Sequence, residues 1–265
     1  MSLTDPVAVF DAGIGSYALV DLIRRELPQR DIIYFADRAR FPYGAKSHDE
    51  LMSIMRGTIQ YLTGLGAGAI VLASNAPSIM VLDELKSEFD VPIHGVAPPL
   101  REALALSRSG EIVIMGVRSM IESAELTAFV RANAPCPEKV TLINASPMVE
   151  LVESGAFLSE PEATAAEVAA FCRSIAEAHP AVDTLTLSST HLPWLRPFFE
   201  KARPDWQFLD PADDVVAALP AAQDGSGRTV ALVTESSAYT AAGFRDMLEK
   251  LGVDLQLTVV NPAIA

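Results

Sequence analysis

Short apolar runs alternate along the chain with stretches in which apolar residues recur every three or four positions. The short runs are typical of buried strands, and the longer repeats are typical of amphipathic helices. One such helix follows the first run and carries Leu19, Leu22, Ile23 and Leu27 on one face. The predicted strands are residues 7–10, 31–35, 69–73, 91–96, 112–116, 140–144, 184–188, 208–210, 230–234 and 255–260.

Polar residues before the apolar repeats mark where helices begin. Ser47 and Glu50 are spaced as a capping box, in which each side chain bonds the backbone N–H of the other residue. Ser119 and Glu122 form a second pair with the same spacing. Residues 159–162 precede a long alanine-rich helix, and residues 224–227 form a Gly/Ser stretch that predicts a surface turn.

The alternation of strands and helices predicts an α/β fold with mainly parallel sheets. The pattern begins again after Pro98-Pro99. A chain of 265 residues, half of them hydrophobic, is long enough for one large α/β domain or for two small domains that share an interface.

Composition excludes several classes of function. The formal net charge is −14, and a chain this acidic repels phosphate backbones, so we expect no nucleic-acid partner. No apolar run approaches the roughly 20 residues that span a bilayer, so we expect no membrane partner. The first residues carry no basic segment followed by an apolar core, so no signal peptide is expected.

The two cysteines, Cys136 and Cys172, are too few for a disulfide framework and fit a reducing cytoplasm. Together with four scattered histidines they form no cluster with zinc-ligand spacing, so no metal site is expected.

Four polar segments follow predicted strands. They are Asp11-Ala12-Gly13, Pro42-Tyr43-Gly44, Ser74-Asn75-Ala76 and Ser189-Thr190-His191. Ligands of parallel sheets bind beyond the carboxyl ends of the strands, so these segments are the candidate site. The third and fourth segments follow matching strands of the two halves, so their loops are expected to converge across a cleft. That arrangement suits a reaction that acts on one carbon from two sides.

The glycines after the first strand allow two interpretations. Gly13-Ile14-Gly15-Ser16-Tyr17-Ala18 matches the dinucleotide-binding fingerprint, but the carboxylate of Asp11 would face the pyrophosphate. The glycines alternatively permit a tight turn into the helix. Asp11 itself either caps that helix, or acts as a general base or as an acceptor for a substrate ammonium.

His191 follows the hydroxyls of Ser189 and Thr190 at the exit of a predicted strand. A histidine there can serve as a general acid or base, although a lone loop histidine is more often structural. A serine nucleophile is disfavoured, because residues two apart do not readily form a Ser–His dyad and the Gly-x-Ser-x-Gly motif is absent.

Several motifs resemble glutamate racemase, within the aspartate/glutamate racemase superfamily. Residues 7–15 resemble the opening strand and turn of that family, and residues 32–44, which end in Phe-Pro-Tyr-Gly, are the most specific match. Residues 70–76, 151–153 and 183–193 resemble an Ala-Cys-Asn-Thr segment, a Leu-Val-Glu and a Gly-Cys-Thr-His-Tyr-Pro segment. The motifs follow the same order over nearly the whole chain.

The resemblance implies two similar α/β domains with the ligand cleft between them. The X-Pro steps at Pro98-Pro99 and Asp210-Pro211 disfavour continued helix, so the predicted first domain is 1–97 plus 210–265 and the second is 98–209. The resemblance further implies a cytoplasmic, cofactor-independent isomerase that interconverts L- and D-glutamate for peptidoglycan of the cell wall. Members of the family often dimerise, so a homodimer is one expected assembly.

The resemblance also implies the site residues. The predicted catalytic residues are Ser74, Ser189, Asp11 and His191. The predicted substrate-binding residues are Ala12, Pro42, Tyr43, Gly44, Asn75, Ala76, Glu153 and Thr190. The expected partner is a small amino acid or a dicarboxylate.

The chain differs from the family at the catalytic positions. Ser74 and Ser189 occupy both positions where the family has catalytic cysteines. A thiol has a pKa near 8.5, whereas an alcohol lies several units higher, so a serine alkoxide able to remove an α-proton is scarce at pH 7. Family hydroxyls are also absent at four other positions, which are Ala12, Ala76, Val117 and Met120, and Ser146 replaces a further cysteine.

Three hypotheses follow from these departures. The chain is a racemase or isomerase of this family, with weak activity or with its cysteines removed by engineering, or a non-catalytic small-carboxylate-binding or regulatory relative that kept the cleft. Alternatively, it is a diverged lyase or hydrolase that uses Asp11, Glu153 or His191 as its acid–base groups.

Overall fold

The computed structural model describes residues 3–219 and 225–264. The strands are β1 (Val7–Asp11), β2 (Ile32–Asp37), β3 (Ala69–Leu72), β4 (Ile93–Gly95), β5 (Ile112–Gly116), β6 (Val140–Asn144), β7 (Thr184–Leu187), β8 (Gln207–Leu209), β9 (Thr229–Thr234) and β10 (Leu257–Val259). The helices are α1 (Tyr17–Glu26), α2 (His48–Gly64), α3 (Asn75–Met80), α4 (Leu82–Glu88), α5 (Leu100–Leu106), α6 (Arg118–Ile121), α7 (Ala124–Asn133), α8 (Ser146–Glu153), α9 (Ala156–Ser159), α10 (Pro161–Ala178), α11 (Arg196–Ala202), α12 (Ala212–Ala218) and α13 (Ala241–Lys250).

The strands form two separate sheets in which every pairing is parallel. The first has the order β10-β9-β2-β1-β3-β4, and the second has the order β6-β5-β7-β8. The predicted α/β fold with parallel sheets is thereby confirmed. The chain passes between the sheets after β4 and again after β8, and the predicted domain boundaries lie in these two connections.

The second sheet repeats the order of four of the six strands of the first. The order β2-β1-β3-β4 corresponds strand by strand to β6-β5-β7-β8, so β3 and β7 hold equivalent places. Ser74 stands two residues beyond the end of β3, and Ser189 stands two residues beyond the end of β7. The topology therefore gives the two serines equivalent positions in the two halves.

Burial on both faces explains why the strands are continuous apolar runs. In β1, Val7 and Val9 pack on one face with α1, whereas Ala8 and Phe10 pack on the other with α2. The core that contains Val7 and Val9 also takes in residues of the second sheet, so the two sheets share apolar packing. Full burial of one such side chain contributes roughly 1.5–3 kcal/mol.

One of the two predicted capping boxes is confirmed. The backbone N–H of Glu50 donates to Ser47 Oγ (3.4 Å), and the N–H of Ser47 donates to Glu50 Oε2 (2.8 Å), at the start of α2.

The predicted box at Ser119 and Glu122 is wrong. Helix α6 already begins at Arg118, which places Ser119 inside the helix. The N-cap of the next helix is Ser123, whose Oγ accepts the N–H of Leu126.

The Gly/Ser stretch packs against the start of β2. Ser226 donates from both its N–H and its Oγ to Asp31 Oδ1, each at 2.9 Å, and the N–H of Arg228 donates to the same oxygen. Residue 224, the first of the predicted turn, lies outside the described residues. Within the described part of the chain, the helices are all too short or too polar to cross a bilayer.

Candidate active site

The loops after the central strands of the two sheets meet at Asp11. Asp11 is the last residue of β1, which lies between β2 and β3, and its side chain is 4% exposed. Thr190, beyond β7 of the other sheet, donates its Oγ1 to Asp11 Oδ2 at 3.4 Å. The convergence expected from strand order therefore brings Asp11 and Thr190 together.

Burial raises the pKa of Asp11 to about 6. The His191 ring, the backbone of Ala12 and the Ser74 side chain each lower it, and the charge of Glu153 raises it further. A general base works best when its pKa lies near the operating pH, so Asp11 has the acidity that this task requires. Asp11 does not cap the following helical turn, whose N-cap is Gly13.

A loop of the other half of the chain packs closely against the glycines after Asp11. A Cβ on Gly13 would lie 2.6 Å from Cε1 of the His191 ring, and one on Gly15 would lie 2.6 Å from the His191 backbone nitrogen. Only glycine permits this approach. Because protein atoms fill the space in front of the glycines, the geometry argues against a dinucleotide there.

Glu153 contacts the His191 ring beside the same glycine turn, with its Oε2 3.3 Å from the position of a Cβ on Gly13. His191 Nε2 and Glu153 Oε2 are 2.8 Å apart, and the N–H of Ile14 donates to the same oxygen at 3.3 Å. Burial alone would raise the pKa of Glu153, but the hydrogen bond and charge of His191, together with Arg38, lower it to about 2. Glu153 is therefore a fixed anion at neutral pH.

Arg38 is a site residue that the sequence analysis missed. Its Nη1 donates to Glu153 Oε1 at 2.6 Å and to the carbonyl oxygen of Ala12 at 2.9 Å. It lies immediately after β2 and is 4% exposed. The available signal was an arginine directly after a buried strand, which indicates a partner inside the protein but does not say which.

The Tyr43 hydroxyl points into the first sheet. It donates to Asp37 Oδ2 at 2.9 Å, and Asp37 also accepts from Thr234 Oγ1 at 2.7 Å and from Arg40 Nη1 at 2.9 Å. Burial and the charge of Asp37 raise the pKa of Tyr43 well above its usual value. Tyr43 is therefore a neutral anchor for the turn that carries Gly44.

Gly44 faces the second half of the chain, whereas Pro42 is exposed. A Cβ on Gly44 would lie 3.0 Å from Ser119 Oγ and 3.6 Å from Val117 Cγ2. Ser119 Oγ is buried and has no hydrogen-bond partner among the described residues. The turn at Gly44 and helix α6 thus form a second contact between the halves.

The segment after β3 is largely buried. Asn75 Nδ2 donates to the carbonyl oxygen of Val96 at 2.9 Å, and its Oδ1 is buried with no partner in the described structure. Ala76 packs with the core of the second sheet. Ser74 is partly exposed and Ser189 is 5% exposed. A cavity of about 10 Å³, enough for one water, borders Asn75 and Thr190.

Among the described residues, no three His, Cys, Asp or Glu side chains are grouped so as to hold a metal ion.

The model of the Asp/Glu/Hydantoin racemase family matches residues 16–219. The chain belongs to this family.

Relatives in the racemase family are similar over most of the chain. Glutamate racemase of Roseiflexus sp. is 33% identical over 241 residues, which cover 89% of this chain and 86% of that protein. Glutamate racemase of Deinococcus radiodurans is 31% identical over 193 residues, 72% of this chain and 64% of that protein. The crystal structure of glutamate racemase from Thermus thermophilus in complex with β-chloro-D-alanine superimposes with a TM-score of 0.77 at 26% identity, over 98% of both chains.

The racemase fold therefore accounts for the convergence of the loops. Two of the predicted catalytic residues, Ser74 and His191, each lower the pKa of a third, Asp11. Ser189 lies next to Thr190, which bonds the same carboxylate. The catalytic and binding roles assigned to these residues remain predictions.

Proposed function

We propose that the protein binds a small amino acid or dicarboxylic acid between its two sheets, at the loops that follow β1, β3 and β7. The observation that carries this proposal is the bond from Thr190 to Asp11, with Ser74 and His191 beside the same carboxylate. A buried carboxylate suits a ligand ammonium, and hydroxyls and amides suit a ligand carboxylate. The complex of the Thermus relative with β-chloro-D-alanine supports a ligand of this size.

The proposed reaction class is the interconversion of L- and D-glutamate without a cofactor. One group removes the α-proton from one face of the substrate, and another returns a proton to the opposite face. Ser74 and Ser189 occupy equivalent places in the two halves and are the proposed pair. Because an alcohol ionises far less readily than a thiol, the proposed rate of exchange is very low.

Ligand entry requires movement at this site. Asp11, Asn75, Ser189 and His191 are all buried, with exposed fractions of 4–6%, so a ligand cannot reach these side chains in the present arrangement of the loops. The proposal therefore includes an opening of the loops around Asn75 and Thr190 before the ligand binds.

A thermal-shift screen of small amino and dicarboxylic acids tests ligand binding. A ligand at 100 times its dissociation constant stabilises the native state by about 2.7 kcal/mol. We expect Ser74→Ala to weaken the shift, and Ser87→Ala, a surface change on α4, to leave it unaltered. If no acid of either class raises the melting temperature, the binding proposal is wrong.

Deuterium incorporation at Cα tests the reaction. We expect little exchange on either glutamate enantiomer, and faster exchange after Ser74→Cys with Ser189→Cys, since general acid–base groups typically contribute roughly 10²- to 10⁴-fold each. Rapid exchange by the unaltered chain would show that serine, or another base, carries the step. If the double cysteine variant exchanges no faster, the pocket serves a different reaction.

The acidity of Asp11 favours a second candidate, a lyase or hydrolase. Asp11 has a pKa of about 6 and can act as a base, whereas the pKa of Glu153 is about 2 and its carboxylate already bonds Arg38, His191 and the N–H of Ile14. This candidate predicts release of a new product by the chain as it stands, and loss of that product in Asp11→Asn. Ligand stabilisation without exchange or product would leave the non-catalytic binding relative.

The proposal also includes the setting implied by the family. The reaction would supply D-glutamate for cell-wall peptidoglycan in the cytoplasm, and the protein would act as a homodimer. Sedimentation equilibrium of the purified chain tests the assembly, and a single species at 28.4 kDa would contradict the dimer.

A further inference from the structure

Arg38 links the two halves of the candidate site. Its Nη1 donates to the carbonyl oxygen of Ala12, next to Asp11, and to Glu153 Oε1. Arg38 directly follows β2 of the first sheet, whereas Glu153 ends α8 beside the second. The ion pair is buried, with side-chain exposures of 5% and 9%, so water screens it little.

The second oxygen of Glu153 transmits this contact to His191. Glu153 Oε2 lies 2.8 Å from His191 Nε2 and also accepts the N–H of Ile14. Since Glu153 is anionic at neutral pH, it is an acceptor, and the hydrogen bond requires a proton on His191 Nε2. Three side chains therefore form one line from β2 to the loop after β7.

Three aromatic rings hold the guanidinium of Arg38 in place. Its Cζ lies 4.7 Å from the ring centre of Phe41, 5.3 Å from that of Tyr239 and 5.2 Å from that of Phe244. A cation over an aromatic face is attracted by the ring quadrupole, and more strongly when both are desolvated. The position of Arg38 is thus fixed independently of Glu153.

We propose that Arg38 is a positioning residue that acts through Glu153 to set the orientation of the His191 ring and which of its nitrogens carries the proton. Arg38 offsets the negative charge of Glu153 and holds its carboxylate against the imidazole. Without that contact, the carboxylate is free to turn away from His191 Nε2, and the ring loses the acceptor that fixes its orientation. The charged groups that face His191 are Glu153 from α8, with Arg38 behind it, and Asp11 from β1. The inference rests on the proposed function only in treating His191 as a ligand-site residue.

Long-range ¹H–¹⁵N spectra of the imidazole rings test the proposal on the ligand-free protein. At pH 7.5 we expect His191 of the unaltered chain to carry a proton on Nε2, the nitrogen that faces Glu153. In Arg38→Met, the population of rings with a proton on Nδ1 and none on Nε2 should rise at least about tenfold, the effect of loosening one hydrogen bond to a charged group. Arg38→Lys keeps the cation and should restore most of the original pattern.

Two controls separate positioning from packing. Arg56 pairs with Glu88 on the surface, so Arg56→Met also removes one arginine–glutamate pair but should leave the His191 signals unchanged. Glu153→Gln removes the intermediate group, so adding Arg38→Met to it should change the His191 spectrum no further. Where Arg38→Met does not fold, Arg38→Gln, which keeps a donor for the Ala12 carbonyl, carries the same test.

The proposal is overturned if Arg38→Met or Arg38→Gln lowers the melting temperature but leaves the His191 pattern as it was. It is equally overturned if Arg38→Met changes that pattern to the same extent in the Glu153→Gln background. Because these spectra require no ligand, failure of the proposed ligand binding would not alter them, and the two proposals can fail separately.

Discussion

Asp11→Asn should stabilise the protein at neutral pH, although it removes a predicted catalytic group. The pKa of Asp11 is about 6 in the folded chain, against 3.8 for the free side chain. The folded state therefore binds more protons than the unfolded state between pH 3.8 and 6, and stability falls as the pH rises through that interval. With about 1.4 kcal/mol for each pKa unit, the ionised carboxylate costs about 3 kcal/mol above pH 6.

Asparagine keeps the shape and an acceptor for Thr190, but it carries no charge. We expect a gain of about 3 kcal/mol at pH 7.5 and about half of that at pH 5, measured by urea unfolding. In a thermal scan at pH 7.5 the gain would correspond to roughly 6–12 °C.

Asp31→Asn supplies a control of opposite sign. Asp31 is also buried, but hydrogen bonds from Thr4, Ser226 and Arg228 overcome its burial and lower its pKa to about 2. Its charge therefore stabilises the fold above pH 3.8, and Asp31→Asn should destabilise the protein at pH 7.5. A loss of stability in Asp11→Asn, or a gain that is the same at pH 5 and pH 7.5, would refute the assignment of the cost to an ionised Asp11.

Three further changes test the packing around the site. Gly15→Ala places a methyl group against the backbone of His191 and should lower the free energy of unfolding, measured in urea, by at least about 2 kcal/mol. Gly64→Ala, which has open space around it, should leave the stability unchanged or raise it. Equal effects of the two changes would contradict the close approach at Gly15. Tyr43→Phe removes a donor to the buried Asp37 and should cost about 2 kcal/mol, with a near-zero result showing that Arg40 and Thr234 suffice. Ser47→Ala should lower the free energy of unfolding by about 1 kcal/mol through loss of the α2 cap. Because the two residues form one capping box, Glu50→Ala should lower the stability less in the Ser47→Ala background than in the unaltered chain.

The elements of the fold could be predicted because the information is local. Strands buried on both faces must be apolar at consecutive positions, which is why β1 and β5 were recognisable from residues 7–10 and 112–116. The ends of edge strands were less accurate. The predicted strand at 91–96 contracts to Ile93–Gly95, since β4 pairs on one side only.

Capping was predictable only where the helix register was clear. Ser47 precedes a long apolar repeat, so its place before the first helical turn was evident. Ser119 lies in a four-residue helix that starts one residue before it, and no periodicity marks so short an element. The N-cap of the next helix, Ser123, lies two residues after the end of α6 and has no acidic residue three positions later to signal it.

The contacts within the site needed the structure because they join distant parts of the chain. Arg38 and Glu153 are 115 positions apart, and Asp11 and Thr190 are 179 positions apart. A sequence indicates that a buried arginine or aspartate has a partner, because an unpaired buried charge is costly, but many carboxylates and hydroxyls could serve. The arrangement of the two sheets determines which of these groups becomes the partner, and no local sequence pattern predicts that arrangement.

The site is asymmetric even though the two serines hold equivalent places. Ser74 lies beside Asp11, a carboxylate with a pKa of about 6, so a base is at hand to assist its hydroxyl. Ser189 Oγ has no hydrogen-bond partner within the described residues, and the nearby His191 is held by Glu153.

A racemase needs a proton acceptor on one face of the substrate and a donor on the other, and the two groups exchange these roles when the reaction runs from the opposite enantiomer. For the proposed reaction, with Ser74 and Ser189 on opposite faces of the substrate, removal of the α-proton should therefore be easier on the Ser74 side. Deuterium exchange measured on each enantiomer separates a two-sided site, which exchanges both alike, from this one-sided site, which exchanges one in preference.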